Sequence, residues 1–136
     1  CALPILLRYM LQYSGLGEVI GDAVSSANLP IVVVAFVVAA LVRISVGSST
    51  VAMTMAAGIV AALPGIAELS LLYLACTTAA VAGGATVCSH FNDSGFWLVK
   101  SLVGMDEKTT LKTWTIMETL VGVTGFIVAL IISMFA

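Results

Sequence analysis

The sequence predicts an all-α, polytopic integral membrane protein with transmembrane helices and broken or re-entrant helices. Three observations carry that prediction. Of 136 residues, 61% are hydrophobic and 9% charged, where a soluble domain carries about 25% charged residues. The chain therefore has too few charges to cover a water-facing surface. Apolar runs of helical length also follow one another with hardly a charge between them. Finally, two of the interruptions are small, polar and rich in Gly and Ser rather than charged. Irregular backbone at membrane depth is tolerated only where protein buries it or a water-filled cavity solvates it.

The elements follow in order. Residues 1–29 are mixed: Arg8, Glu18 and Asp22 interrupt the apolar positions, and Gly15, Gly17 and Gly21 loosen any helix. They read as an interfacial or partial element, and the start at Cys1 reads as a piece of a longer chain. Residues 30–64 read as a short helix, a polar break and a second short helix. Asn28-Leu29-Pro30 is a start signal, with proline suited to the first turn. The run from Pro30 to Ile44 would span roughly 22 Å as a helix, short of a bilayer core of about 30 Å. "SVGSST", Ser45 to Thr50, then separates it from the apolar run Val51 to Leu63, and Pro64-Gly65 stops the second helix.

Residues 66–104 read as a helix broken near 83–93. Leu69 to Ser89 carries no charge, and Gly83-Gly84 weakens the helix while permitting close backbone approach. A short helix, Ser94 to Val103, follows. Residues 106–136 hold the final transmembrane helix. Asp106 and Glu107 suit its start, and Leu111 to Phe135 carries only Lys112 and Glu118 as charges. Lys100, Lys108 and Lys112 mark the loop 100–112 as cytoplasmic by the positive-inside rule, which puts the C-terminus outside. Trp97 and Trp114 flank that loop as members of an aromatic belt.

Several function classes are excluded. A net charge of −2 with scattered Lys and Arg offers nothing to a nucleic acid. Three cysteines without a CxxC give no metal or cofactor site. Ser48 or Ser49 with His90 and Asp93 has the residue types of a hydrolytic triad, but no GxSxG elbow surrounds a serine, so the chain does not read as an enzyme.

The candidate site lies at the two breaks, which share a short echo, "GSSTVA" and "GGATVC". A half-helix N-terminus at Gly47, Ser48, Ser49 and Thr50 offers hydroxyls and free backbone donors to a carboxylate. Arg43, one turn earlier, is either a full positive charge for that site or a snorkelling helix end. The second break gathers Ser89, His90, Asn92, Asp93 and Ser94. Asp93 is a proton-carrying carboxylate or the cap of the following helix. His90 is a proton relay or an ordinary hydrogen-bonding residue. Glu118 faces a cavity or pairs with Lys112, although six residues is a poor spacing for one face.

"SHFNDSGFWLVK", Ser89 to Lys100, and "TLKTWTIMET", Thr110 to Thr119, closely resemble the C-terminal signature of the gluconate:H+ symporter (gluconate permease) family of the ion transporter superfamily. "LVRISVGSSTVAMTMAAGI", Leu41 to Ile59, resembles a second motif of that family. Phe91 and Ser45-Val46 depart from the expected pattern. The resemblance implies that residues 1–136 are the C-terminal membrane portion of the transporter, half of an inverted-repeat architecture. It implies proton-coupled symport of gluconate or a related sugar acid across the bacterial inner membrane. The partners implied are the acid, protons, the lipid bilayer and an N-terminal half of the same transporter. A homo-oligomer is compatible with it. On this reading the substrate carboxylate sits at Gly47–Thr50, Ser89, Asn92 and Ser94 bond its hydroxyls, and Asp93, with His90, carries the proton. The site chemistry would equally suit another small anion or a hydroxy amino acid such as D-serine. The alternative of a different class is a helical membrane scaffold that transports nothing.

Overall fold

The computed structural model describes Tyr13, residues 29–63 and residues 65–136. The element expected over residues 1–29 lies almost wholly outside them. The regular elements among the described residues are all helices, with no strand among them.

Helix α1 is Ile31–Val46. The Pro30 carbonyl accepts from the first turn, from Val33 at 2.9 Å and Val34 at 3.2 Å. Val32, Ala35, Ala39 and Arg43 are buried on one face, three and four residues apart. Gly47 ends the helix in the left-handed region at φ 76°, and its N–H donates to the Arg43 carbonyl at 2.8 Å. Helix α2, Ser49–Val60, begins two residues later, with the Ser48 hydroxyl accepting from Val51 N–H as its cap. The expected six-residue linker is therefore mostly helix: only Gly47 and Ser48 lie between α1 and α2. A left-handed glycine followed by a serine cap turns the chain in the fewest residues.

After a short 3-10 turn, Ile66–Glu68, helix α3 spans Leu71–Gly84. Ser70 caps it by accepting from Tyr73 N–H at 3.1 Å. The chain is then unwound to Asp93. Helix α4, Ser94–Val103, ends at Gly104, where φ is 71°. Helix α5, Glu107–Ser133, is 27 residues long and is, among the described residues, the one helix long and apolar enough to cross a membrane. At 1.5 Å per residue it measures about 40 Å, enough for a core of about 30 Å with tilt. Its second turn, Leu111–Thr115, is π-helical, a feature the apolar pattern does not announce.

Helix α3 lies between α1 and α5, and small residues let the backbones meet. A Cβ on Gly84 would stand 2.3 Å from the Phe36 carbonyl oxygen, and one on Gly122 would stand 2.5 Å from that of Gly83. Beside this seam Phe36 and Phe126 stack at 4.2 Å. In lipid, where apolar burial gives helices little reason to associate, such close packing is the main attraction. Gly125, three residues on, meets nothing within 4 Å. The pair gives an internal comparison: Gly122→Ala is expected to destabilise the protein by about 1–3 kcal/mol through overpacking. Gly125→Ala should be neutral or slightly stabilising, because alanine favours a helix over glycine by about 1 kcal/mol. Thermal unfolding of the two variants of the full-length protein in detergent checks this, and equal melting temperatures would contradict it.

Candidate functional site

The two breaks dock on each other. A Cβ on Gly47 would stand 2.2 Å from the backbone oxygen of Asn92, so the turn after α1 touches the unwound segment before α4 directly. The Asn92 amide donates to the carbonyls of Ile44 at 2.8 Å and Ser45 at 3.5 Å. Those carbonyls belong to the last turn of α1, which has no further turn to bond them. One break thus caps the helix that ends in the other.

Arg43 lies under this contact and is 1% exposed. Its Nη1 donates to the Gly47 carbonyl at 2.6 Å and its Nη2 to Asp93 Oδ2 at 2.5 Å. A second carboxylate oxygen, Glu118 Oε2 on α5, is 3.5 Å from the same Nη2 without forming a hydrogen bond. Arg43 Nε is buried with no hydrogen-bond partner among the described residues. The arginine points into the bundle, so the snorkelling reading does not describe it. Asp93 does two things at once. Its Oδ2 accepts from Arg43 and from the Ser89 hydroxyl, and its Oδ1 accepts from Gly95 N–H at 2.9 Å, capping α4.

The third wall comes from α5. Trp114 Nε1 donates to the Ser89 hydroxyl at 3.0 Å, and the Thr115 hydroxyl donates to the Ser89 carbonyl. The Thr119 hydroxyl accepts from Cys88 N–H at 3.1 Å. Cys88 has φ 59°, a left-handed conformation that costs a non-glycine residue of order 1 kcal/mol and persists only where neighbours fix it. The π-helical turn lies at the head of this face. Such turns insert a residue and re-aim the side chains that follow, and they are frequent at functional sites.

Of the residues expected from sequence, Arg43, Gly47, Ser89, Asn92 and Asp93 come together here. Ser48 caps α2, Ser49 is half-buried, and Thr50 and Ser94 are exposed beside the breaks. The His90 ring lies with Nδ1 2.8 Å from the Cys88 carbonyl oxygen. Among the described residues, neither His90 nor Asp93 hydrogen-bonds to Ser48 or Ser49. No group of three His, Cys, Asp or Glu that could hold a metal occurs among the described residues. Sequence reasoning missed the contribution of α5. Trp114 turns inward to Ser89 instead of serving only an interfacial belt, and Glu118 faces Arg43 rather than Lys112. A signal was present: Thr115, Glu118, Thr119 and Gly122 form a polar and small stripe three to four residues apart along an apolar helix.

Apolar helices interrupted beside a buried ion pair are the architecture of membrane transport proteins with discontinuous helices. Residues 6–135 match the GntP family permease profile, and the chain belongs to that family. It is 44% identical over 128 residues to the low-affinity gluconate transporter of Escherichia coli K12, and 41% identical over 131 residues to the gluconate permease of Pseudomonas aeruginosa. It is 35% identical over 126 residues to the Gnt-II system L-idonate transporter of E. coli K12. Each comparison covers 93% of this chain and 28% of the relative, so the chain spans just over a quarter of the length of these transporters. No solved structure matches it significantly.

Proposed function

We propose that this chain forms the arginine-bearing part of the site of a proton-coupled symporter for gluconate or a related sugar acid in a bacterial inner membrane. The observation that carries the proposal is the buried Arg43–Asp93 pair held between two helix breaks. Relatives named for gluconate and for L-idonate support a sugar acid as the substrate.

The Nε–Nη2 edge of a guanidinium is a two-donor fork that fits a carboxylate. Here Nη2 is held by Asp93 and Nε has no partner among the described residues. A substrate carboxylate that takes this edge displaces Asp93. A carboxylate left buried without its cation is costly, and the cost is removed when it binds a proton. Substrate and proton therefore enter the site together and leave together, which is symport. The N-terminus of α2 at Gly47–Thr50 adds backbone donors, and Ser89, Asn92 and Ser94 stand beside the breaks to meet the hydroxyls of a sugar acid. His90 assists by carrying protons to the second break.

Within this proposal the α4–α5 turn faces the cytoplasm and the C-terminus lies outside. Lys100 there pairs with Glu107 at 2.7 Å and lies over the Trp97 ring at 5.2 Å from its centroid, a cation and an aromatic suited to an interface. The chain would serve as one half of an inverted-repeat site, with the opposite wall supplied by other helices of the transporter.

Uptake of labelled gluconate by cells making the full-length protein tests the function. Uptake that rises as the external pH falls, and that unlabelled sugar acids compete, is expected; no uptake with the protein in the membrane would contradict it. Asp93→Asn tests the coupling. Asparagine still caps α4, and Glu118 still balances Arg43, so folding and substrate binding should survive. Accumulation driven by a pH gradient should be lost, and wild-type accumulation at normal expression would refute the role of Asp93.

A further inference from the structure

The proposed symport leaves one charged side chain of the site without a task. Glu118 lies on α5, with its side chain 19% exposed against 10% for that of Asp93. Both carboxylates approach the same Arg43 nitrogen, at 3.5 Å and 2.5 Å, but only Asp93 is hydrogen-bonded to it. Glu118 Oε2 is buried with no hydrogen-bond partner among the described residues. The Ser89 hydroxyl donates to Asp93. The charged groups acting on Glu118 are thus Arg43 from α1 and Asp93 from the unwound segment. Helix α3, packed along α5, contributes no charged side chain.

One guanidinium cannot neutralise two buried carboxylates. With both ionised the cluster carries a net negative charge in a low-dielectric site, and one proton makes it neutral. Asp93 has three donors that favour its charged form, from Arg43, Ser89 and Gly95. Glu118 is the carboxyl that lacks them, and the one more open to water.

We propose that Glu118 is the proton-donating residue of this site: it holds a proton while Asp93 holds Arg43, and passes it to Asp93 when substrate takes Arg43. The proposal rests on the symporter reading above. In the transfer, the O–H bond of the Glu118 carboxyl breaks and an O–H bond forms on the Asp93 carboxylate. The Ser89 hydroxyl relays it by accepting one proton and releasing its own. Glu118, now ionised, is reprotonated from water, so one proton crosses with each substrate carboxylate.

The experiment uses the full-length protein in proteoliposomes, as wild type, Glu118→Gln, Glu118→Asp and Asp93→Asn. Glutamine keeps the shape and neutrality of the protonated side chain but cannot release a proton. Glu118→Gln should therefore fail to accumulate gluconate down a proton gradient near neutral pH, and should exchange it at equal pH on both sides only as that pH is lowered enough for Asp93 to take its proton from water. Glu118→Asp should restore part of the accumulation. Infrared spectra should show a protonated carboxyl band that shifts in Glu118→Asp and is absent in Glu118→Gln and in Asp93→Asn, where the one carboxylate left is paired with Arg43. Accumulation by Glu118→Gln equal to wild type, or an unchanged carboxyl band, would overturn the assignment. If gluconate is not the substrate, the wild type fails in both transport assays, and the carboxyl band alone decides the role of Glu118.

Discussion

Replacing Arg43 by glutamine should abolish gluconate uptake and destabilise the protein by about 3–5 kcal/mol, the usual cost of removing one partner from a buried ion pair. Asp93 and Glu118 would then face each other with no cation between them, and the Gly47 carbonyl would lose its donor. The double variant Arg43→Gln, Asp93→Asn removes both members of the pair. Uncharged amides of similar shape should return much of the lost stability, since the penalty belongs to the unpaired charge more than to the missing bridge. Transport should stay absent, because the two-donor fork for the substrate is gone. Arg43→Lys makes a finer distinction. It keeps the charge but offers one ammonium where the arginine spans Gly47 and Asp93 with separate nitrogens. It should fold and bind substrate weakly. Thermal unfolding in detergent separates the stability effect from the uptake effect. Substantial uptake by the double variant would mean that Arg43 only supports the fold.

Gly47→Ala should be nearly as damaging for a different reason. At φ 76° alanine pays about 1–2 kcal/mol for the left-handed conformation, and its Cβ would also stand 2.2 Å and 2.6 Å from the backbone oxygen and carbon of Asn92. Those are main-chain atoms, so no rotamer change relieves the clash and the two breaks must separate. Separation pulls the Gly47 carbonyl from Arg43 and Asn92 from the end of α1. Gly65→Ala is the matched control. Gly65 has φ 75° but nothing within 4 Å of a Cβ, so it pays the conformational cost alone. Gly47→Ala should lose uptake and Gly65→Ala should keep it. Equal uptake by the two variants would show that the contact between the breaks is not needed.

Composition and the placement of Gly, Ser and Pro made much of this architecture legible. Gly47 and Ser48 mark a break because few other residues turn a helix end and cap a new helix in two positions. Gly83-Gly84 sits where a helix both ends and packs closely. The polar residues at 89–94 stand out against their apolar flanks. What joins the breaks was not legible. Arg43 and Asp93 are fifty positions apart, and no local period links them; only the packing of α1, α3 and α5 brings them within 2.5 Å. The π-helical turn at Leu111–Thr115 has no composition of its own, so Trp114 reads as an interfacial aromatic until the fold turns it toward Ser89. Along its own helix Glu118 reads as facing a cavity or pairing with Lys112, whereas the cation beside it is Arg43, from across the bundle.

The central claim is that a substrate carboxylate displaces Asp93 from Arg43 and that Asp93 then takes a proton. The most direct measurement is proton uptake when gluconate binds to the purified full-length protein, followed by pH indicator in weakly buffered solution near neutral pH. The account predicts one proton taken up per gluconate bound by the wild type and none by the double variant Asp93→Asn, Glu118→Gln, which leaves no carboxylate facing Arg43, with binding retained in both. Gluconate binding by the wild type without proton uptake, or the same uptake by the double variant, would contradict it.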